Sequence, residues 1–477
     1  MGNKVLFVAP AKLYPVDAEG KPIQQVRENV SIPALTVLGS LKSAGFDVDF
    51  MDLSADGYEN QVQYGKNTYR FGLPDEAVVE RIRNTHPMAL LVTSMFSTEQ
   101  VMVDDLTSAV KSANPQLPII VGGANASLDP SSVLRSSSID FIVLGEAEET
   151  IPSLLNDIYH DGIGPVKDKR TRIVEATRLS DINRPWALDE VLLRDGEYRY
   201  NDDVSRRSRT YAHLTEVGWS KSFALYYSRG CPTHCDYCTA SEKDGNAIRH
   251  MGSERMFADL RLLHESYGMQ VFYNQADSFC RSQEDLAFLR KVKDYRKEHQ
   301  DFVINNPNAF LVGTFFPSSL GYELDESLLD LLAGSGFNVI TLAVETFNQR
   351  FNRKIDFGEI NPQKINDLLS AVHGRGMKAE LYMMYAFPDE TKEEFAYDQR
   401  IVDSLQCVDE VAWQSCMVFP GTTYYRQGLK QGWFTEESYQ AALKQGYFFH
   451  HLPEAFNFSR IPYRELEAFR KVHKPNV

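Results

Sequence analysis

The sequence predicts an α/β protein with a doubly wound parallel sheet at the N-terminus, then a partial barrel of six strand–helix units and a small α-helical C-terminal region. Short apolar runs alternate with helical stretches in the first ~150 residues, and this alternation restarts near residue 222 after a less patterned segment. A chain of 477 residues is also long enough for two or three domains of ~150 residues. We therefore expect domains at residues 1–154 and 218–425, a linker at 155–217 and a helical region at 426–477.

Five apolar runs in the N-terminal region have the length and composition of buried parallel strands. Helical stretches at residues 32–44 and about 98–113 lie between them. Strands that alternate with helices join into one parallel sheet through right-handed crossovers. The predicted strands are residues 5–9, 47–52, 89–93, 118–121 and 140–144.

Small and polar residues follow the carboxyl ends of these predicted strands. Open parallel sheets bind ligands beyond those ends, and residues of this size let a large ligand lie close to the backbone. Glycines after strands also serve tight turns, which is the structural alternative. The residues are Ala9, Ser94, Ser97, Gly122, Gly123 and Gly145.

Residues 155–217 lack a sustained strand or helix period and contain charged and polar runs. This pattern predicts a linker with one hairpin between the two domains. Arg206, Arg207 and Arg209 are expected on a solvated face, because the chain as a whole is acidic.

From residue 222 onward, six further apolar runs alternate with helical stretches and predict the partial barrel. In barrels of this kind, the chemistry takes place at the carboxyl ends of the strands. The predicted strands are residues 223–227, 270–274, the material around 302–304 and 310–312, 338–344, 379–385 and 410–418.

Three of the six cysteines lie within eight residues, in the stretch RGCPTHCDYC at residues 229–238. Cys231, Cys235 and Cys238 have the close spacing that is typical of iron–sulfur ligands. Three ligands would leave one iron of a four-iron cluster open to a small molecule. Zinc, with His234 as a fourth ligand, and inert structural thiols remain alternatives at this point.

The C-x3-C-x-aromatic-C order of this loop resembles the cluster loop of radical SAM enzymes. The resemblance implies a [4Fe-4S] cluster whose open iron chelates S-adenosyl-L-methionine (SAM), with Tyr237 as the aromatic residue of the motif. It also implies a reaction in which one electron cleaves SAM to a 5′-deoxyadenosyl radical, which takes a hydrogen atom from the substrate.

Three further elements resemble SAM-contacting elements of this family, in the same order along the chain. Asp277, in the stretch Gln275-Ala276-Asp277, matches the element that meets the methionine amino group, although the usual glycine-rich form is absent. Glu345 resembles the glutamate that contacts the ribose, and Phe387 in FPDET lies where the adenine is expected. For each residue alone, a turn or a helix cap is the structural alternative.

The segments GGANA at 122–126 and LGEAEET at 144–150 resemble the cobalamin-binding domain that precedes many radical SAM domains. Cobalamin proteins that ligate cobalt with histidine carry Asp-x-His-x-x-Gly after the first strand, and no such motif occurs here. The resemblance therefore implies cobalamin without a protein imidazole on its lower face. If the domain binds no cobalamin, it is a relic or serves docking. The contacts implied are Ala9, Ser94, Met95, Phe96, Ser97, Gly122, Gly123, Gly145 and Glu146.

Composition excludes several other functions. A net charge of −15 argues against nucleic-acid and anionic-membrane partners. No apolar run approaches the ~18 residues of a membrane span. Six cysteines in so long a chain fit a reducing compartment, so we expect a cytoplasmic protein.

The other three cysteines, Cys280, Cys407 and Cys416, lack Cys-x-x-Cys spacing. Buried structural thiols are the default expectation for them, and no auxiliary cluster is predicted. The aromatic residues of the last ~50 positions are expected to pack in a core; a lid over the barrel is the alternative.

The sequence thus predicts a cobalamin-dependent radical SAM enzyme that methylates an unactivated carbon of a small molecule. The resemblance implies an external electron donor, such as flavodoxin or ferredoxin. Alternatives are a cobalamin-dependent rearrangement, cyclisation or ring contraction, and a radical SAM enzyme that does not bind cobalamin. The non-enzyme alternative is a metal-stabilised binding protein.

Overall fold

The computed structural model describes residues 3–15, 32–57, 59–65, 68–160, 171–184, 186–187, 222–274, 276, 282–311, 325–352, 360–444 and 452–473. Contacts between residues divide the chain into two compact units. The first unit contains Met1–Tyr198 and Phe434–Phe448, and the second contains Arg199–Trp433 and Phe449–Val477.

The main sheet of the first unit is parallel, as predicted. The strands of this unit are β1 (Lys4–Ala9), β2 (Lys12–Pro15), β3 (Asp47–Asp52), β4 (Gln61–Gly65), β5 (Thr68–Phe71), β6 (Ala89–Thr93), β7 (Ile119–Gly122), β8 (Phe141–Leu144) and β9 (Arg172–Glu175). Six of them form the sheet in the order β3-β1-β6-β7-β8-β9. The order reverses between β1 and β6, which makes the sheet doubly wound and places its ligand crevice at their carboxyl ends.

Helices and apolar strands build the core of this unit. The helices are α1 (Ile32–Ser43), α2 (Leu53–Asp56), α3 (Asp75–Thr85), α4 (Gln100–Ala113), α5 (Ala124–Leu128), α6 (Pro130–Leu134) and α7 (Thr150–His160). Leu6, Val8 and Leu90 are fully buried in the sheet and pack with Val103 and Leu106 of α4. Burial of each such side chain stabilises the fold by about 1.5–3 kcal/mol.

Two features of the first unit were not predicted. Strand β9 pairs with β8 within the stretch expected to be a linker. Most side chains of β9, Arg172–Glu175, are exposed. The strand therefore does not need the long apolar run that marks a buried strand in a sequence. Strands β2, β5 and β4 form a small antiparallel sheet after β1, in which the rings of Tyr14 and Phe71 meet edge to face at 5.0 Å.

The second unit also has a six-stranded parallel sheet, and its strands are adjacent in the order of the chain. The strands of this unit are β10 (Ser222–Leu225), β11 (Ser228–Arg229), β12 (Arg249–His250), β13 (Val271–Asn274), β14 (Val303–Leu311), β15 (Phe337–Glu345), β16 (Lys378–Tyr385) and β17 (Glu410–Ser415). The sheet has the order β10-β13-β14-β15-β16-β17, and β11 pairs with β12 as a separate short ribbon. This confirms the predicted partial barrel.

The helices of the second half begin at side-chain caps in several places. They are α8 (Ala240–Asp244), α9 (Ser253–Tyr267), α10 (Gln283–Tyr295), α11 (Glu326–Gly334), α12 (Gln349–Asn352), α13 (Pro362–His373), α14 (Lys392–Ser404), α15 (Thr423–Gln431), α16 (Glu436–Lys444) and α17 (Tyr463–Val472). Ser282 and Thr391 each form a capping box, and Asp325 accepts from the N–H of Leu328. A cap of this kind stabilises a helix by about 1 kcal/mol.

The C-terminal region is helical, but its helices belong to different units. Helix α17 lies in the second unit, where the ring of Phe469 contacts those of Tyr385, Phe395 and Trp413 at 4.7–5.4 Å. Helix α16 groups with the first unit. Phe456 is buried, in line with core packing of the aromatic residues. No described helix is long and apolar enough to cross a membrane.

Candidate active site

The cysteine loop lies between β11 and β12, the two strands of the short ribbon in the second unit. Gly230 at its start has φ +100°, and a Cβ there would lie 2.4 Å from the carbonyl oxygen of Ala247. Only glycine fits at so close an approach. The N–H of Cys231 donates to the carbonyl oxygen of Gly245 over 3.0 Å, which closes the base of the loop.

None of the three thiols of the loop is in a disulfide, and those of Cys231 and Cys235 are buried. The hydroxyl oxygen of Thr233 lies 3.0 Å from Cys231 Sγ and 3.7 Å from Cys235 Sγ. The N–H of Ala240 donates to Cys238 Sγ over 3.5 Å. Burial raises the pKa of the Cys235 thiol well above its usual range, and a metal bound to this sulfur would favour the thiolate.

The zinc alternative finds little support in this arrangement. His234 is exposed, whereas Cys231 and Cys235 are buried. Within the described ranges, no group of three or more His, Cys, Asp or Glu side chains is placed to hold one metal ion. A structural zinc needs four ligands around a single ion, while a cluster spreads its cysteines over several irons.

Glu345 ends strand β15 beside the cysteine loop. A register shift precedes it, its φ is +63°, and its side chain is buried. Burial raises the pKa of Glu345 to about 7, and a hydrogen bond with the Tyr237 side chain opposes this rise. Burial, and then the Glu345 charge, raise the pKa of Tyr237 well above its usual value. The predicted residues Tyr237 and Glu345 are therefore in direct contact.

Phe387 follows strand β16 and is fully buried. Its ring stacks on that of Phe351 with centroids 4.7 Å apart. Its N–H donates to Glu390 Oε2 over 3.0 Å, and its carbonyl oxygen accepts from the N–H of Glu390. Since the ring and both backbone groups make contacts within the protein, Phe387 helps to fix the shape of the turn after β16.

Backbone strain is concentrated at the carboxyl ends of β15 and β16. Five described non-glycine residues have φ between +47° and +64°, and three of them are Glu345, Ala386 and Asp389. Each such residue costs about 1–3 kcal/mol and persists where the surrounding structure holds it, commonly at functional sites. This edge of the second sheet is therefore the candidate site for a ligand.

Two buried carboxyl groups, which sequence reasoning missed, support this edge. Burial raises the pKa of Glu390 to about 8 and that of Asp398 to about 6. Asp398 accepts from the hydroxyl of Thr346 over 2.5 Å and from the N–H of Phe347 over 2.9 Å. Asp398 thereby connects helix α14 to the segment directly after Glu345. Asp398 could have been suspected from the sequence, because it is an acidic residue on the apolar face of the helix predicted there.

Some predicted residues cannot be placed. Gln275, Asp277 and Cys280 lie outside the described residues. Of the other two cysteines, Cys416 is buried, as expected. Cys407 is exposed, so the expectation of a buried thiol was wrong there; it lies at a turn before β17 with φ +58°.

In the first unit, the carboxyl ends of β6 and β7 meet at Gly123. This residue has φ +120°, and a Cβ would lie 2.5 Å from the carbonyl oxygen of Ser94. The N–H of Ser94 donates to Gly122 O over 2.7 Å, and the N–H of Asn125 donates to Ser94 O over 3.0 Å. The predicted residues Ser94, Gly122 and Gly123 therefore form one tightly packed edge.

A buried polar network lies beneath this edge, and sequence reasoning missed it. The Asn125 amide donates to Ser94 Oγ over 2.9 Å and to Gln100 Oε1 over 3.0 Å. The Ser94 hydroxyl also donates to Gln100 Oε1, and the Gln100 amide donates to Asp104 Oδ1 over 2.8 Å. Burial raises the pKa of Asp104 to about 6. The network fixes the loop after β6 against α4 and α5.

The loop after β6 carries the other predicted residues of this edge. The N–H of Met95 donates to Glu99 Oε2 over 3.3 Å, and Glu99 pairs with Lys12 at 3.7 Å. Phe96 is 51 % exposed, which leaves a large apolar surface at the carboxyl edge of the sheet. Ser97 begins a short 3₁₀ turn, Ser97–Glu99.

Ala9 is the last residue of β1, and Gly145 and Glu146 follow β8. Gly145 has φ +89°, and its N–H donates to Ser127 Oγ over 2.9 Å. Glu146 is buried and accepts from the N–H of Leu179 over 2.7 Å. This bond connects Glu146 to the segment after β9, a structural contact that the sequence did not indicate.

Two family models match the chain, one over each sheet. The model described as "B12 binding domain" matches residues 28–155, and "Radical SAM superfamily" matches residues 225–399. The second match contains the cysteine loop, Glu345 and the turn at Phe387. The chain belongs to the radical SAM enzymes that carry a B12-binding domain.

Curated relatives of this radical SAM enzyme match at 18–28 % identity. One is the cytidylyl-2-hydroxyethylphosphonate methyltransferase of Streptomyces wedmorensis, 25 % identical over 437 residues, or 85 % of this chain and 79 % of the relative. Another is the anaerobic magnesium-protoporphyrin IX monomethyl ester cyclase of Synechocystis sp., 28 % identical over 51 % of this chain and 44 % of the relative.

Solved structures share the fold of this radical SAM enzyme. One is the radical SAM methyltransferase TsrM from Kitasatospora setae, with tryptophan and a SAM analogue bound, which matches with a TM-score of 0.65 at 16 % identity. The match covers 90 % of this chain and 76 % of the TsrM chain. The cobalamin-dependent SAM radical enzyme OxsB has a TM-score of 0.60 at 14 % identity, over 90 % of this chain and 61 % of its own.

The residues of this radical SAM enzyme fit the cofactors of its family, a [4Fe-4S] cluster, SAM and cobalamin. Three thiols in one loop, none of them in a disulfide, are the soft donors that an iron–sulfur cluster uses. At the first sheet, the exposed ring of Phe96 offers apolar surface to a large ligand, beside the edge that Gly123 packs against Ser94. Residues 11–30, which follow β1, contain no histidine that could ligate cobalt.

Proposed function

We propose that this enzyme methylates an unactivated carbon atom of a small-molecule substrate. When bound, the cluster and SAM supply a substrate-activating radical, and cobalamin supplies the methyl group. The observation that carries the proposal is the presence of both cofactor domains in a chain that aligns over 437 residues with a methyltransferase. Other relatives named as methylases act on a hopanoid and on bacteriochlorophyllides, so the substrate class stays broad.

In the second unit, Cys231, Cys235 and Cys238 hold the cluster in this proposal. Glu345 offers a buried carboxyl group that can accept from the ribose hydroxyls of SAM, and Tyr237 orients that carboxyl group. Phe387 and the strained turn after β16 form a wall near the adenine. Two further SAM contacts, Gln275 and Asp277, remain part of the proposal from the family resemblance.

In the first unit, the proposed cobalamin contacts are the small and polar residues at the carboxyl edge of the sheet. Gly123 lets the loops after β6 and β7 pack closely against each other, which holds in place the edge that the ligand would meet. The Ser94–Gln100–Asn125 network keeps the edge rigid without donating a cobalt ligand. The proposed contacts are Ala9, Ser94, Met95, Phe96, Ser97, Gly122, Gly123, Gly145 and Glu146.

The proposal includes an external one-electron donor, such as flavodoxin or ferredoxin, because cleavage of SAM consumes an electron that the chain's own side chains do not supply. A cytoplasmic location fits this requirement, since a reducing compartment protects both the thiols and the cluster. The domain boundaries that we propose are residues 1–154 for cobalamin and 218–425 for the radical SAM domain.

The test begins with anaerobic reconstitution with iron, sulfide and hydroxocobalamin, followed by desalting. We expect about four irons and one cobalamin per chain, the stoichiometry of one cluster and one B12 site. Reduction with SAM and a candidate substrate should then release 5′-deoxyadenosine together with S-adenosylhomocysteine. Four irons without retained cobalamin would contradict the methylation mechanism.

A cobalamin-dependent cyclisation is the second candidate function. It is favoured by the match to the magnesium-protoporphyrin ester cyclase, whose identity of 28 % is the highest among the relatives described above. The same assay separates the two, because a cyclase forms 5′-deoxyadenosine and a substrate-derived product without S-adenosylhomocysteine.

A further inference from the structure

Helix α16 belongs to the first unit, although it follows the last strand of the second unit along the chain. One face of the helix is buried, with Tyr439 fully inaccessible and Leu443 4 % exposed. Together with Glu436 and Gln440, these residues follow the i, i+3, i+4, i+7 spacing of a helix that packs on one side. The helix is thus docked on the first unit by its own apolar stripe.

The first region that α16 contacts is the loop after β6. The helix packs on the turn Ser97–Glu99, which directly follows Met95 and Phe96. At the end of the helix, the positive charge of Lys444 acts on the carboxyl group of Asp104, which accepts from Gln100 in the buried polar network. The helix therefore abuts both the loop and its support.

The second region is the segment after β7. Arg135, at the end of α6, forms an ion pair with Glu436 at 2.8 Å, across 301 residues of sequence. The Gln440 amide donates to Asp129 Oδ2 over 3.4 Å. Asp129 also caps α6 by accepting from the N–H of Ser132 over 3.3 Å. One helix thus bridges the segments that follow two neighbouring strands.

We propose that α16 is a positioning element of the cobalamin site, which holds the loops after β6 and β7 at the separation that the cofactor needs. The inference rests on the cobalamin contacts proposed above, since these two loops carry Ser94–Ser97 and Gly122–Gly123. Helix α16 lies outside the residues 28–155 that match the B12-binding family model. The first domain is therefore completed by a segment from the far end of the chain.

A proline substitution tests this role without removing a buried side chain. Ala441 is exposed and is the sixth residue of α16, so Ala441→Pro interrupts the helix from its solvent side. Ala468→Pro is the matched control, because Ala468 is exposed and is the sixth residue of α17 in the second unit. The probe is hydroxocobalamin, with its dissociation followed by absorbance after desalting of the full-length protein.

We expect hydroxocobalamin to leave the Ala441→Pro protein at least ~10-fold faster than wild type, since proline abolishes the helical hydrogen bonds that keep α16 docked. The Ala468→Pro protein should retain cobalamin as wild type does and lose thermal stability in the second unit. Wild-type dissociation from Ala441→Pro would overturn the proposal. Loss of cobalamin by wild type itself would instead refute the proposed function.

A charge reversal supplies a test that does not depend on disruption of a helix. Arg135→Glu and Glu436→Arg should each speed dissociation by roughly 2- to 5-fold, the range of an exposed ion pair. The double variant restores the pair with reversed charges and should recover the wild-type rate. Equal rates in all four proteins, or no recovery in the double variant, would count against α16 as a positioning element.

Discussion

Gly123→Ala should weaken both the fold of the first unit and its hold on cobalamin. Gly123 has φ +120° and ψ −178°, a region that only glycine occupies readily. The strain on alanine there is about 1–3 kcal/mol. The added Cβ would also lie 2.5 Å from Ser94 O, so Ser94 must move and weaken its backbone bonds to Gly122 and Asn125. Each weakened bond costs about 1 kcal/mol, which brings the total to roughly 3–5 kcal/mol.

Gly45→Ala is the matched control in the same unit. Gly45 also has a positive φ, +87°, but a Cβ there meets no atom within 4 Å. The control therefore measures only the loss of stability that alanine suffers in a left-handed backbone conformation, about 1–2 kcal/mol. Urea unfolding gives the stability of each variant, and titration with hydroxocobalamin gives the dissociation constant.

We expect Gly45→Ala to bind cobalamin as wild type does. Gly123→Ala should bind cobalamin at least ~10-fold more weakly, which corresponds to a loss of about 1.4 kcal/mol in binding free energy. The reasoning fails if Gly123→Ala binds with the wild-type dissociation constant and loses no more stability than Gly45→Ala. In that case, the close approach of β6 and β7 has no role in the ligand site.

Three other substitutions test the second unit. Cys238→Ala removes one of the three proposed sulfur ligands of the cluster, so the iron content after reconstitution should fall well below that of wild type. Unchanged iron content would contradict the cluster assignment. Glu345→Gln keeps the size of the side chain beside Tyr237 but removes its charge. We expect this variant to bind SAM at least ~10-fold more weakly in equilibrium dialysis, with its iron content as the control. Asp398→Asn should stabilise the protein at neutral pH. The pKa of Asp398 is about 6 in the folded protein and 3.8 for the free group. The carboxyl group therefore ionises more readily in the unfolded chain, so the free energy of unfolding falls as pH rises from about 4 to 6. The loss amounts to up to about 3 kcal/mol at pH 7. Urea unfolding of the two proteins should agree near pH 4 and diverge by pH 7, and a constant difference across this range would contradict the assigned pKa.

Much of the fold was predictable because its signals are local. Runs such as residues 5–9 and 89–93 are apolar throughout, since both faces of a central parallel strand are buried. Strand β9 carries no such signal, because it lies at the edge of the sheet and most of its side chains face solvent. The strand exists through pairing with β8, which no local pattern reveals.

The polar support of the candidate site was not predictable for a related reason. Ser94, Gln100 and Asn125 form one buried network, yet Asn125 lies 25 residues beyond Gln100 and 31 beyond Ser94. A polar residue that will be buried looks the same in sequence as one that will be solvated. Only the partners decide, and the packing of α4 and α5 on the sheet brings them together.

The two parallel sheets could be predicted from the sequence, because they depend on short periodic patterns of neighbouring residues. The three cysteines stand within eight positions, a spacing typical of iron–sulfur ligands, and the resemblance of their loop to that of radical SAM enzymes indicated the class of enzyme. Tertiary structure alone decided that Tyr237 contacts Glu345 and that α16 returns to the first unit to meet Arg135. Those contacts join residues more than 100 positions apart, and their free energy arises only when the whole chain has folded.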